Sequence, residues 1–242
     1  GAAADEMYSG YYDHFLQNLN SIKNDKNLYS NELKSWRKFI LPNVRNKFFR
    51  NHNLYDKDVN FREHIYDRYN ERNKLLVNPV ISKFKEKKYS KNLHNNRKLN
   101  ELFHETTPII LFNEDHNAMK YSIENRSPFL DKDLVEFIFS VKPHFNIKNG
   151  LSKNLLRSSS KKFVKNKVLF DRKKKGFNSS IESLIDFKDQ KMIKNIFDDE
   201  RLKEFVNTKD IFKILGDKKS SNYISKFIFD IINIKFFLKY NY

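Results

Sequence analysis

The chain has 242 residues, of which 39% are hydrophobic and 32% charged, enough for a core and for a water-facing surface. It holds no cysteine, which excludes disulfides, thiolate metal sites and a cysteine nucleophile within it and fits a cytoplasmic location. The formal charge of +17 raises the question of a nucleic-acid partner, but the lysines are spread along the whole length. They cluster at Lys85, Lys87 and Lys88, at Lys161 and Lys162, and at Lys173 to Lys175, with no DNA- or RNA-binding signature beside them. A diffuse excess with a small-phosphate site accounts for the charge better than nucleic acid does. No membrane span is expected. The nearest approach, Tyr223 to Leu238, is interrupted by Lys226, Asp230 and Lys235 and falls short of roughly 18 unbroken apolar residues. The opening Gly1 to Glu6 carries neither the basic region nor the apolar run of a secretory signal.

Helical spacing dominates the chain. Tyr8, Tyr11, Tyr12, Phe15, Leu16, Leu19 and Ile22 recur at three and four residues, the apolar face of one amphipathic helix. Trp36, Phe39 and Ile40 predict a second helix that ends before Pro42. Residues 51–100 are rich in charge and asparagine, with helical fragments at Phe61–Tyr69 and Val80–Lys88. Thr107–Leu111 is the best strand candidate. Asp131 is placed to cap a helix, with Asp133 in its first turn and Leu134, Phe137, Ile138 and Val141 as its apolar stripe. A polar loop with Pro143 and Gly150 leads to a helix capped by Ser152 and carrying Leu155, Leu156, Ser159 and Phe163. Residues 171–180 read as a basic loop broken by Gly176. Three short helices follow, then a long one from about Ser221 to Lys239.

Three groups of residues could carry chemistry, and each has a plainer reading. Asp5 and Glu6 stand where a helix begins; they either complement its dipole or offer an oxygen ligand to magnesium. Glu114, Asp115, Glu124, Arg126 and Asp131 lie among apolar residues, where charge is costly unless paired. They form either a structural ion-pair network, with Arg126 joined to Glu124 or Asp131, or a reactive pocket. Lys153 falls in the first turn of a helix, where a cation opposes the macrodipole unless an anion binds there. Lys174, 21 residues on, sits in a loop long enough to fold back over it. Taken singly, either lysine reads equally well as solvated.

These segments resemble, in order, the C-terminal synthetase domain of glutamine-dependent asparagine synthetases and their relatives, the β-lactam synthetases and lasso-peptide cyclases. Gly1–Tyr11 is similar to the family pattern S-G-x-G-[AS]-D-E-x-[FY]-x-G-Y without its serine. Asp115–Asp131, DHNAMKYSIENRSPFLD, is similar to DRxSMxxSxExRxPFLD. Ser152–Arg157, SKNLLR, resembles G-K-x-L-L-R, and Arg172–Phe177 resembles R-x-K-x-G-F. The resemblance runs over nearly the whole chain. It implies a mainly α architecture, the helical C-terminal part of an α/β ATP-pyrophosphatase synthetase domain spanning residues 1–242.

The resemblance also implies a reaction. ATP adenylates a carboxylate, aspartate by family default, with release of pyrophosphate; ammonia or an amine then attacks, as in asparagine biosynthesis. It assigns Asp5 to magnesium at the ATP phosphates, with Gly1 and Lys153 beside the nucleotide. Glu124 and Lys174 become the catalytic pair, Lys174 stabilising the transition state. Asp115, Arg126 and Asp131 organise the substrate pocket. The four residues Asp5, Glu124, Lys153 and Lys174 are therefore expected to face one cleft. The chain departs from the pattern at Ala2 and at three other places: Ala3 and Ser9 stand where glycines are usual, and His116 stands where arginine is. The family's S-G-G-x-D-S pyrophosphate loop, adenine pocket and N-terminal cysteine glutaminase domain are not in these residues. A longer protein or a partner chain is expected to supply them, with glutamine as a nitrogen source. The competing functions are a non-catalytic helical binding module of the same shape and a basic nucleic-acid module.

Overall fold

The computed structural model describes residues 2–62, 72–79, 85–173, 181–216 and 222–241. Among them the chain is helical, with no strand beyond two isolated bridges, Leu76 with Val206 and Lys148 with Leu151. They form two compact units, one from residues 2–62 and 85–173, the other from 72–79, 181–216 and 222–241.

The first unit begins with two helices where the apolar spacing predicted one. α1 (Ala4–Tyr8) stops at Ser9, whose φ of 63° is left-handed, and α2 (Tyr12–Ser21) starts after Gly10 and Tyr11. The apolar periodicity runs on through the break although α1 and α2 bury their residues in different clusters, so spacing alone does not reveal it. α3 (Lys26–Ser35) is capped by Asp25, whose side chain accepts from Leu28 N. It widens into a π turn at Trp36–Ile40 and tightens to a 3-10 turn, Leu41–Asn43, that takes Pro42. The helix therefore ends before the proline, as the sequence implies. Of the two helical fragments predicted between residues 61 and 88, residues 63–71 and 80–84 lie outside the described residues. Residues 85–88 are irregular, which corrects the end of the second.

α4 (Leu93–His104) is capped by Asn92, and α5 (Thr106–Met119) follows at once. The strand expected at Thr107–Leu111 is thus part of a helix. Pro108 sits in the first turn of α5, where no intrahelical N–H is needed, so the β-branched threonines and isoleucines do not decide the local structure. α6 (Lys132–Ser140) begins as expected, with Leu134 N donating to Asp131 Oδ1 at 3.1 Å. Its buried side differs from the predicted stripe. Ile138 is inside with Leu134, Val135 and Phe139 packed beside it, whereas Phe137 is 60% exposed and Val141 lies past the end. α7 (Asn154–Ser159) is shorter than predicted, and its N-cap is Lys153, not Ser152; Phe163 is exposed.

Two clusters make the core of this unit. One joins Phe15, Leu16 and Leu19 of α2 to Trp36, Ile40, Val44, Tyr55 and Ile147. The other gathers Ala3, Met7 and Tyr8 with Leu102 and Ile138, and Phe129, Leu130, Leu155 and Leu156 pack on it. It brings α1, α4, α6, α7 and the Pro128–Leu130 turn around one point. The Tyr8 and Phe129 rings meet edge to face at 5.8 Å. In the second unit α8 (Gln190–Phe197), α9 (Thr208–Gly216) and α10 (Asn222–Asn241) bury Ile193, Phe197, Ile211, Phe227, Ile228 and Ile231. These are the later short helices and the long last helix of the sequence reading. No helix among the described residues is long and apolar enough to cross a membrane.

Candidate active site

Asp5 and Lys153 lie far apart in sequence, yet Lys153 Nζ stands 2.9 Å from Asp5 Oδ1. Three local features set this geometry. Lys153 is left-handed, with φ 57°, which turns the chain into α7. Its backbone N–H donates to Tyr8 O at 3.0 Å, tying the start of α7 to the end of α1. Gly10 supplies the space: a β-carbon there would lie 1.6 Å from Asp5 Oδ1 and 2.8 Å from Lys153 Cε. Its own N–H donates to Asp5 O at 2.7 Å, closing the turn. The two side chains keep 31% and 27% exposure, so solvent and a ligand can reach them.

Gly10→Ala is therefore expected to push the Asp5 carboxylate away from Lys153. In the protein containing this chain, turnover should fall about a hundredfold, the usual scale for an ångström-sized misplacement of a binding group. Steady-state kinetics beside a circular-dichroism check of folding would measure it.

Left-handed backbone recurs here at two positions where the resembled family uses glycine. Ala3 has φ 68° and Ser9 φ 63°. Each non-glycine residue in that region carries about 1 kcal/mol or more of strain. Ala3 is only 5% exposed and its methyl packs in the α1 cluster. Ser9 is fully buried, and its Oγ is 3.0 Å from His94 Nε2. The turn geometry is thus kept while packing and a hydrogen bond offset the strain.

The remaining predicted site residues fall elsewhere. Glu124 and Arg126 pair with each other at 3.0 Å, their side chains 71% and 80% exposed. Asp115 is exposed on α5 and Asp131 is engaged in capping α6. Glu114 accepts from Asn125 Nδ2 at 3.3 Å. Charges expected to be packed among apolar groups are therefore solvated, and the ion pair drawn from the sequence is the Arg126–Glu124 one. Among the described residues no contact joins Glu124 to Asp5 or Lys153. The loop that carries Glu124 is anchored at its far end, where Phe129 packs on Tyr8. Gly1 and Lys174 lie outside the described residues.

Directly beneath α1 and α2 is a buried ionic network that the sequence reading missed. His14 Nε2 is 2.9 Å from Glu101 Oε2. Arg97 Nε lies 3.1 Å from Glu101 Oε1 and 3.6 Å from Asp13 Oδ2. The Arg97 terminal nitrogens donate to Glu105 at 2.5 and 2.7 Å, and Nη1 also donates to Glu86 at 3.0 Å. Above it the Tyr11 hydroxyl donates to buried Glu6 Oε1. The signal in the sequence was the i, i+4 spacing of Arg97 and Glu101 on a helix whose other residues include Leu102 on the apolar side.

Burial raises the Glu101 carboxyl, against the pull of His14. Burial would lower His14, but the Glu101 and Asp13 carboxylates outweigh it and hold His14 above its usual value. Lys98, wholly buried with Nζ 4.6 Å from the Phe139 ring centre, is lowered by burial to about 7. Asp13, His14 and Glu101 present atoms within 4.8 Å of one another, close enough for a metal. The Arg97 guanidinium already contacts both carboxylates and would repel a cation placed there, so the cluster reads as an ion-pair network.

The described residues are thus mainly helical, with a partly exposed carboxylate–ammonium pair between α1 and the LLR-bearing helix α7. The chain belongs to the asparagine synthase family, whose family model matches residues 1–229. The glutamine-hydrolyzing asparagine synthetase 1 of Bacillus subtilis (strain 168) is 30% identical over 108 residues, 45% of this chain and 17% of that protein. No solved structure matches the chain significantly.

Proposed function

We propose that this chain supplies the helical, pyrophosphate-facing part of an ATP-dependent amide-forming synthetase. The observation that carries this reading is the Asp5–Lys153 pair, held open to solvent by Gly10 and by the Lys153–Tyr8 backbone bond. In the proposed reaction a substrate carboxylate oxygen attacks the α-phosphorus of ATP. The bond to the bridging oxygen breaks, and pyrophosphate leaves with the electron pair. An ammonia or amine nitrogen then attacks the acyl carbon, loses a proton and displaces AMP. Aspartate is the acid, and glutamine hydrolysis the nitrogen source, that the family membership favours.

The residues fit this work. Magnesium commonly uses one or two carboxylates together with substrate phosphates, and Asp5 offers one half-exposed carboxylate. When bound, magnesium would neutralise charge on the departing pyrophosphate. In the ligand-free chain Lys153 balances Asp5; a polyphosphate would take up Lys153 and leave Asp5 to the cation. Lys174 would add a second positive charge to the same anion. Glu124, solvated and paired with Arg126, would come to the reacting acyl group, with Asp115 and Asp131 fixing the flanks of its loop.

The adenine pocket and the pyrophosphate loop would come from polypeptide outside these 242 residues. Calorimetric titration of the 242-residue chain with magnesium-ATP tests this division. Binding much weaker than micromolar is expected, and micromolar affinity would show that the chain holds a complete nucleotide site.

A further inference from the structure

A second basic hollow, of about 220 Å³, opens on the other part of the α7 segment, and Lys148, Arg157, Ser158, Lys161, Phe170 and Arg172 help to line it. Neither Asp5 nor Lys153 lines it. We propose that this hollow binds a small phosphoryl anion at a site separate from the Asp5–Lys153 pair.

Its construction distinguishes it from the solvated lysines found all over this chain. Both arginines are locked in place by neutral groups. Arg157 Nε donates to Ser152 O at 2.8 Å, and its Nη1 donates to Val168 O and Leu169 O at 3.1 and 2.6 Å. Arg172 lies over the Phe39 ring at 4.1 Å and donates through Nη2 to Asn149 O at 3.3 Å. Carbonyls and a ring orient a guanidinium without cancelling its charge. Four cations line the hollow and no carboxylate does; Asp171, the nearby acid, accepts from Lys173 N at 2.9 Å. Burial lowers the Arg157 pKa, against the pull of Asp171 and with help from Arg172, as expected of cations crowded together.

Guanidinium groups held in place, with the Arg157 Nη2 donors left over from the carbonyls, and exposed ammonium groups beside them suit phosphoryl oxygens, which accept from several donors at once. The volume sets the size of the ligand. Sites for drug-sized molecules run from about 300 Å³ upward, so this one suits pyrophosphate or a sugar phosphate better than a nucleotide. Lys148 and Lys161 are exposed and would close on the bound anion.

The test is calorimetric titration of the 242-residue chain with pyrophosphate, and separately with a hexose phosphate, at physiological salt. Binding of at least one is expected. Lys148→Ala/Lys161→Ala should weaken it about tenfold or more, as the loss of two charge-assisted contacts implies. Lys132→Ala, at an exposed lysine that does not line the hollow, should leave it unchanged. Arg157→Lys, which keeps the charge and loses the oriented Nη2 donors, should weaken it while the circular-dichroism spectrum stays as it was. A stronger response to the hexose phosphate would identify a phosphate ester as the ligand, and a stronger response to pyrophosphate the free anion. No binding of either, or binding that survives the double variant, overturns the site. An equal loss in Lys132→Ala also overturns it, as a general charge effect, and leaves the proposed synthetase function standing.

Discussion

Arg97→Ala should lower the stability of the first unit by about 3–5 kcal/mol, the cost of leaving buried charge without its partner. Arg97 is 4% exposed and touches Asp13, Glu86, Glu101 and Glu105. Asp13, Glu86, Glu101 and Glu105 would all lose the guanidinium, and although Glu86 keeps Arg62 and Glu101 keeps His14, the excess negative charge is left in a low-dielectric interior. Urea denaturation followed by tryptophan fluorescence reads the change, because Trp36 lies in the α2 core. The midpoint should fall with little change in slope. Arg97→Lys should recover only part of the loss, since an ammonium cannot hold Glu105 with two parallel bonds. A midpoint shift equivalent to less than about 1 kcal/mol would mean that water already reaches the network.

In the protein containing this chain, Lys174→Ala should lower turnover by a hundredfold or more, about the 2.7 kcal/mol lost with one charge-stabilising donor. Apparent affinity for ATP should change far less, because the proposed lysine acts on charge that develops as pyrophosphate departs. Steady-state rates with ATP varied at saturating carboxylate separate the two effects. Lys153→Ala should behave differently. Lys153 balances Asp5 before any ligand arrives, so its loss should raise the ATP requirement as well as slow the reaction. Equal effects of the two variants on both constants would remove the distinction between the lysines.

Much of the helical plan could be read from spacing and caps. Asp131 caps α6 and the last helix runs Asn222–Asn241, close to the sequence reading. What escaped were decisions made by single backbone torsions. Ser9 breaks the first helix by turning left-handed, and its stabilising partner, His94, is 85 residues away. Lys153 likewise takes the N-cap position that Ser152 seemed to hold, because its N–H is bound to Tyr8 O. Neither partner is local, so neither turn leaves a mark in the nearby residues. Thr107–Leu111 misled for the opposite reason. Its strand propensity is local, and it yields to a helix that starts at Thr106 and runs on to Met119.

The candidate site divides in the same way. Motif resemblance named Asp5 and Lys153, and the structure gives them a direct contact of 2.9 Å that spacing could not supply. The ionic network below was hidden because its charged residues sit at intervals that also suit an exposed helix face. Only tertiary packing makes Arg97, Glu101 and His14 buried. The basic hollow was partly visible, since Lys161, which lines it, stood out in a cluster with Lys162. The locked arginines, Arg157 and Arg172, depend on carbonyls and a ring brought in by the fold.

The proposed function places this chain in a carboxylate-adenylating synthetase. ATP–pyrophosphate exchange in the protein containing it, with magnesium, labelled pyrophosphate and aspartate or another acid, tests that claim directly. Label should enter ATP only when a carboxylate is present, and the exchange should be lost in Asp5→Ala and in Lys174→Ala. Exchange that ignores both substitutions, or turnover that yields ADP and phosphate in place of AMP and pyrophosphate, would contradict it.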